Sequence, residues 1–466
     1  MPKGPLILAF VLLLLTVGLF LYLTAEDPSH HLVFATWGTP TEVESFQRLI
    51  DHYNRTRSPA HRVKLSHSQA SSYTEQLLVQ AAARNLPDLV HLDRKDLPLF
   101  VHRGLFEDLT PYIESDTSFD IELFLPELLP DCRVEGRYYA IPHNFSTLVL
   151  YYNKDHFDAE GLPYPDSTWT WGTLLQAAQW LTRRDEKGKT VRYGCYVHMV
   201  AHTMVEQNGG RILNGTLDTC VIASFEAEQA IRFLTDLSEM YGVTWNMLAQ
   251  NILWDDMFAG GRCSMVVNGR WAASYYMQSM PGEIVDVAPL PRGKYRKGAG
   301  VNHMMAISAQ STKKKEAWEF LKFLVSEAGQ RMINEDGANI PALRSIATSD
   351  EFLRHRTTPE MNNRVFLAEL PHSVAWPFEQ GPYLTHYVIQ SQYDLAMRRI
   401  LLGEATTMQS LKIMEESINR VIAEQRALSR PEPFIGSLLF YLCCGAPAVV
   451  ALAVWTRRRG GNAVGT

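Results

Sequence analysis

The chain has 466 residues, with 44 Lys+Arg against 50 Asp+Glu for a formal charge of -6, 46% apolar and 20% charged. That balance excludes a disordered chain, which has too little apolar surface to bury, and argues against a nucleic-acid binder, which carries a basic excess. At about 150 residues per domain the length predicts two or three domains.

Residues 6–23 are uncharged, preceded by Lys3 and followed by Glu26 and Asp27. At a rise of about 1.5 Å per residue such a run just spans a bilayer core. It reads as an anchor or a signal peptide: Leu23-Thr24-Ala25 supplies only one of the two small residues a cleavage site wants, and no Cys follows to take a lipid. From His31 onward the pattern is strand then helix. The apolar run 32–37 is followed by Thr41 with Glu44 three later, a capping-box pattern opening a helix on which Val43, Phe46, Ile50 and Tyr53 share a face. A strand at 62–66, a second cap at Ser72 with Glu75, and a strand at 87–92 repeat the unit, which predicts a mostly parallel sheet with helices on both faces.

A second α/β region follows Ile141-Pro142, with strands expected at 148–153 and 264–267 and helices at 173–181 and 224–241. A strand at 304–307 and an amphipathic helix at 313–325 come next, and residues 383–428 are mainly helical with Gly403 dividing two helices. Residues 434–455 are again uncharged and Arg457, Arg458 and Arg459 follow at once, a stop-transfer pattern. Cationic flanks stay cytoplasmic, so residues 26–432 are expected outside, 433–456 in the membrane and 457–466 as a cytoplasmic tail. An oxidising compartment permits pairing among Cys132, Cys195, Cys220 and Cys263, and spacing leaves all three connectivities open.

Enzyme motifs fail when checked. Gly188-Lys189-Thr190 lacks the earlier Gly of a phosphate loop, since Arg183 stands there, and the pair His198 and His202 has Met199 where a metalloprotease needs Glu. Packed histidines or a helical surface pair is the better account. Gly298-Ala299-Gly300 reads as a turn. The sequons at Asn54, Asn144 and Asn214 are chance matches by default, and no metal or cofactor is expected. What stands out is aromatic residues beside polar ones at predicted strand ends, among them Trp254 next to Asp255 and Asp256. Sugars need that mixture, because a flat ring packs on a pyranose face while carboxylates and amides take its hydroxyls.

At Gly136-Arg137-Tyr138-Tyr139-Ala140-Ile141-Pro142, then Leu150-Tyr151-Tyr152-Asn153-Lys154, Gly161-Leu162-Pro163, Asn268-Gly269-Arg270-Trp271 and Asn339-Ile340-Pro341-Ala342, the chain resembles bacterial extracellular solute-binding proteins. The sugar-binding class that serves ABC importers, including the maltose-binding type, is the nearest group. The fragments follow the family's order across nearly all of 31–427. The resemblance implies an α/β fold of two lobes closing on a ligand cleft; the apolar runs at 6–23 and 434–455 add flanking N- and C-terminal transmembrane helices.

Lobe one would be about 31–142 with 300–345 and lobe two about 143–299 with 346–430, with hinges near His143 and Val301. Implied ligand-binding residues are Trp37, Tyr73, Asp93 and Asn144, with Trp271 and Trp376 from the second lobe; Trp254 joins them from its polar setting. The expected partners are a mono- or oligosaccharide and ABC permease subunits, with no catalysis. The missing lipid Cys and the second apolar span depart from the family's usual form. A sugar-sensing or structural ectodomain that delivers nothing is the rival reading.

Overall fold

A computed structural model describes residues 31–428, apart from 58–61, 70–71, 246–253, 281–283, 336, 356, 359–360 and 376–380. The expected transmembrane segments at 6–23 and 434–455, and Trp376, lie outside the described residues. Among the described residues, no helix is long and apolar enough to cross a membrane.

Strand β1 (Leu32–Thr36) opens the chain and α1 (Pro40–Asn54) follows it. The cap sits two residues earlier than the sequence pattern suggested. Thr39 is the N-cap, Pro40 supplies the preset first helical position, and Glu42 closes the capping box. Next come β2 (Val63–His67), α2 (Tyr73–Ala82), β3 (Leu89–Asp93) and the short α3 (Leu97–His102). Strand β1 pairs in parallel with both β2 and β3, as the strand-helix alternation predicts.

The sheet is nevertheless mixed. Strands β4 (Ile141–Thr147) and β5 (Val149–Asn153) are followed by helices α4 (Trp171–Leu181), α5 (Ala201–Gln207), α6 (Phe225–Glu239) and α7 (Trp254–Ala259). Then come β6 (Met265–Asn268), β7 (Val285–Ala288), β8 (Gly298–Ile307), α8 (Lys314–Val325), β9 (Ile340–Pro341) and β10 (Ser373–Ala375). The chain ends in α9 (His386–Leu401) and α10 (Thr407–Leu428), with Gly403 at φ 67° between them.

The large sheet runs β9-β4-β8-β3-β1-β2 with β10 beside β8, and β8 is antiparallel to both β3 and β4. The small sheet is β6-β5-β7, antiparallel throughout. Because β4 lies in one sheet and β5 in the other, the chain passes between them at Leu148. Every residue of both strands is buried. Gly298-Ala299-Gly300, which reads as a turn, instead begins β8 and pairs with Ser373, Val374 and Ala375. A Cβ on Gly300 would lie 3.1 Å from the Ser146 carbonyl, so glycine there serves close strand approach and not a bend.

Two cores follow from this layout. The first joins Phe34, Leu89 and Phe320 of the large sheet's surroundings to Tyr151, Val266 and Tyr276 on one face of the small sheet. The second packs the other face, through Leu150, Met265 and Val267, against α6, α9 and α10. Cys132, Cys195, Cys220 and Cys263 are buried free thiols, so none of the three connectivities forms.

Candidate functional site

At the carboxyl end of β1 the backbone delivers Trp37, and the N-terminus of α2 delivers Tyr73 with its ring centroid 4.8 Å away. Trp37 lies flat on the imidazole of His91, at 4.2 Å and 15° between planes, and meets His303 edge-on at 5.5 Å. His91 is fixed from below. The Thr36 hydroxyl donates to the Trp37 carbonyl (3.0 Å) and sits 2.9 Å from His91 Nδ1. A hydroxyl has one proton to give, so the network assigns the His91 proton to Nδ1, which donates to Thr36 Oγ1. Burial and the neighbouring rings of His303 and His143 hold the His91 pKa well below its ordinary value, which keeps this ring neutral.

Asp93 ends β3, and its Oδ2 accepts from Lys95 Nζ at 2.7 Å. Burial pushes the Asp93 carboxyl up, but the Lys95 charge, His303 and the hydrogen bonds from Lys95 together leave it below the usual carboxylate range. Asn144 on β4 stands opposite His303 on β8, Oδ1 to Nδ1 at 2.8 Å. Trp37, Tyr73, Asp93 and Asn144 therefore share one patch, linked through His91 and His303. The Tyr73 hydroxyl is buried with no hydrogen-bond partner among the described residues, and burial followed by the Asp96 charge pushes its pKa up. Beside it the start of α9 comes down onto α3: His386 Nδ1 is 3.9 Å from Asp96, and the Tyr383 ring is 5.2 Å from that of His102.

The remaining expected residues fall elsewhere. Trp254 opens α7 and belongs to a separate stack, 5.8 Å from Tyr196, which lies face to face with Trp245 at 4.5 Å. Its neighbour Asp255 is engaged by Asn268 and by the Tyr276 hydroxyl, which ties that carboxylate into the packing around β6. Trp271 follows β6 and packs against both cores. A cavity of about 410 Å³ opens near β10, lined by Val374, His202, Glu206, Arg211, Tyr295 and Lys297, within the range of small-solute sites. His198 and His202 are packed histidines: both are buried, and burial lowers the His198 pKa to about 4.

Sequence reasoning missed His91, His303, Lys95 and Glu42. Glu42 does double work, accepting from the Thr39 backbone at 2.8 Å and from Asn339 at 3.0 Å. Three histidines at 91, 143 and 303 were visible, but only strand pairing puts β3, β8 and β4 side by side. Chemically the patch offers a rigid ring face, a carboxylate, an ammonium and an amide, a set suited to stacking on a sugar and exchanging hydrogen bonds with its hydroxyls.

Residues 49–360 match the family described as bacterial extracellular solute-binding protein. A putative binding protein of Brucella abortus is 22% identical over 291 residues, 60% of this chain and 68% of that protein. An ABC substrate-binding protein of Listeria monocytogenes, solved in complex with cycloalternan, superposes with a TM-score of 0.73 at 24% identity, covering 84% of this chain and 99% of that one. A solute-binding protein of Thermotoga lettingae bound with α-D-tagatose gives 0.70 at 23% identity, covering 84% and 99%.

Proposed function

Since the chain belongs to the bacterial extracellular solute-binding proteins, we propose that it captures a carbohydrate outside the cytoplasm and presents it to an ABC importer. Members of this family are solute-binding proteins and not enzymes, and they work outside the cytoplasm. The observation that carries the choice of carbohydrate is the patch at Trp37, where an immobilised indole face adjoins the Asp93–Lys95 pair and the Asn144–His303 pair. Two relatives of the same fold were solved with saccharides, cycloalternan and tagatose, which supports the reading.

The proposed lobes are residues 31–142 with 300–345 and residues 143–299 with 346–430. Solute held by both would favour the closed arrangement over the open one. Trp37, Tyr73 and Asp93 bind from the first lobe, Asn144 at the crossing between the lobes, and Trp254, Trp271 and Trp376 from the second. The apolar segments 6–23 and 434–455 tether the domain to the membrane from both ends. Such a tether raises the effective concentration of the domain beside its permease without any new contact.

The test is a fluorescence titration of the full chain with maltotriose, cycloalternan and tagatose, repeated on Trp37→Ala and Trp271→Ala. Saturable binding that both substitutions weaken about tenfold or more supports the site. Binding unchanged in both variants refutes it.

A further inference from the structure

Among the described residues, Arg270 is the largest of the fully buried side chains. Burying a guanidinium is expensive, and an apolar side chain of the same volume would fill the space at lower cost. Its position accounts for the expense. Arg270 precedes Trp271 in the turn after β6, and its contacts leave that turn in two directions. Its backbone N–H donates to Ser146 Oγ on β4 at 2.7 Å. Its guanidinium donates from Nη2 to Thr358 Oγ1 at 2.9 Å and lies 5.7 Å and 5.8 Å from the rings of Phe366 and Phe352.

Those three residues sit in the stretch from Asp350 to Glu369, which is itself fastened to β4 where the Thr147 hydroxyl donates to the Phe366 carbonyl at 2.8 Å. Thr358 is held in turn by Asn363 Nδ2 at 3.1 Å. The circuit closes through Tyr151 on β5, whose hydroxyl donates to the Gly269 carbonyl at 2.8 Å and whose ring is 6.3 Å from Phe366. Thus the turn carrying Trp271, the strand passing between the two sheets, and the 350–369 stretch are tied at one point.

We infer that Arg270 is a positioning residue: its guanidinium locks the Trp271 turn to the 350–369 stretch, which together with the Arg270 backbone N–H holds that turn to β4 of the large sheet, so that the indole and the setting of the small sheet against the large one move together. A buried arginine suits this task because one planar guanidinium both donates to Thr358 Oγ1 and packs against the rings of Phe352 and Phe366, which an aliphatic side chain cannot do. The role given to Trp271 rests on the solute-capture reading; the coupling itself is measured without solute, so the two can fail separately.

The experiment places a nitroxide-bearing unnatural residue at each of the exposed positions of Val79 on α2 and Phe225 on α6, in the full chain, and records the distance distribution by pulsed electron resonance. Arg270→Met keeps most of the bulk and removes the fork, Thr358→Val removes only its acceptor, and Arg270→Lys keeps the charge. The distribution is expected to widen to about twice the wild-type width in Arg270→Met, to widen less in Thr358→Val, and to be partly restored in Arg270→Lys, as for a hinge losing a restraint. Should Arg270→Met not fold, Thr358→Val carries the test alone. A wild-type width in the folded Met and Val variants, or in Thr358→Val where it alone folds, overturns the inference.

Discussion

Replacing Gly269 by Ala should displace Trp271 while leaving the tryptophan itself in place in the sequence. The backbone there is extended at φ -89°, so alanine brings no conformational strain. The strain is steric: a Cβ would lie 2.2 Å from Trp271 Cζ3 and 2.4 Å from both Cε3 and Cη2, where ordinary contact begins at 3.4 Å. The ring must retreat by about 1.2 Å, the difference between 3.4 and 2.2 Å, or the turn must open. Overpacking of this kind costs about 1–3 kcal/mol, which lowers Tm by roughly 1–4 °C in a chain of this size. A gap of about 1 Å also forfeits a quarter to a half of each dispersion contact between ring and solute, so saccharide affinity should drop about fivefold, equivalent to about 1 kcal/mol. Calorimetric titration with a bound saccharide, beside a thermal melt of the same sample, reads both effects. If Tm falls but the dissociation constant stays at the wild-type value, Trp271 does not face the solute and its assignment is wrong.

Other consequences are as specific. Burial holds His143 at a pKa of about 3 and His198 at about 4, and keeps His91 well below 6.5, so all three are neutral in the fold and take up protons on unfolding below about pH 6.5. Their folded pKa values are depressed, so stability is full above pH 6.5 and is lost as pH falls toward 4, by about 1 kcal/mol per histidine for each pH unit. His143→Phe should flatten that slope in melts from pH 7 to 4.5, and an unchanged slope contradicts the account. Lys95→Met strips the buried Asp93 of its partner and should cost about 3–5 kcal/mol, much of it recovered in Asp93→Asn with Lys95→Met; equal melting of the single and double variants counts against the pair. Alkylation followed by peptide mapping should label Cys132, Cys195, Cys220 and Cys263 only after denaturation, since all four are buried and burial raises each thiol pKa. A disulfide-linked peptide pair would contradict the free-thiol assignment.

Local signals in the sequence are enough to place most helices and strands. Apolar alternation, capping residues and Gly403 act within a few residues, and the observed α4, α6 and α8 lie within two residues of the expected spans at both ends. What the pattern cannot carry is pairing. Strand β8 reads as a short run at 304–307 because its first half, Gly298 to Asn302, is rich in glycine and polar residues; pairing with β4 and β10 makes it a strand of 10 residues. The same limit hides the site's supports. Trp37 is conspicuous as an aromatic after a strand, whereas His91 and His303 matter only because β3 and β8 lie side by side beneath it. Trp254 stands out as an aromatic beside carboxylates, and only the folded packing shows that its neighbour Asp255 is engaged by Asn268 and Tyr276. Arg270 carries no sequence signal, since nothing local distinguishes a buried arginine from an exposed one.

Carbohydrate capture is tested most directly by thermal unfolding of the full chain against mono- and oligosaccharides, polyols, amino acids and polyamines. A solute that binds only the folded state adds about 2.7 kcal/mol at one hundred times its dissociation constant, enough to move the melt visibly. The account predicts a rise confined to saccharides and cut to about half or less by Trp37→Ala, since solute bound tenfold more weakly adds about 1.4 kcal/mol at the same concentration. A flat response across all classes from folded protein, or a rise with amino acids or polyamines alone, would contradict it.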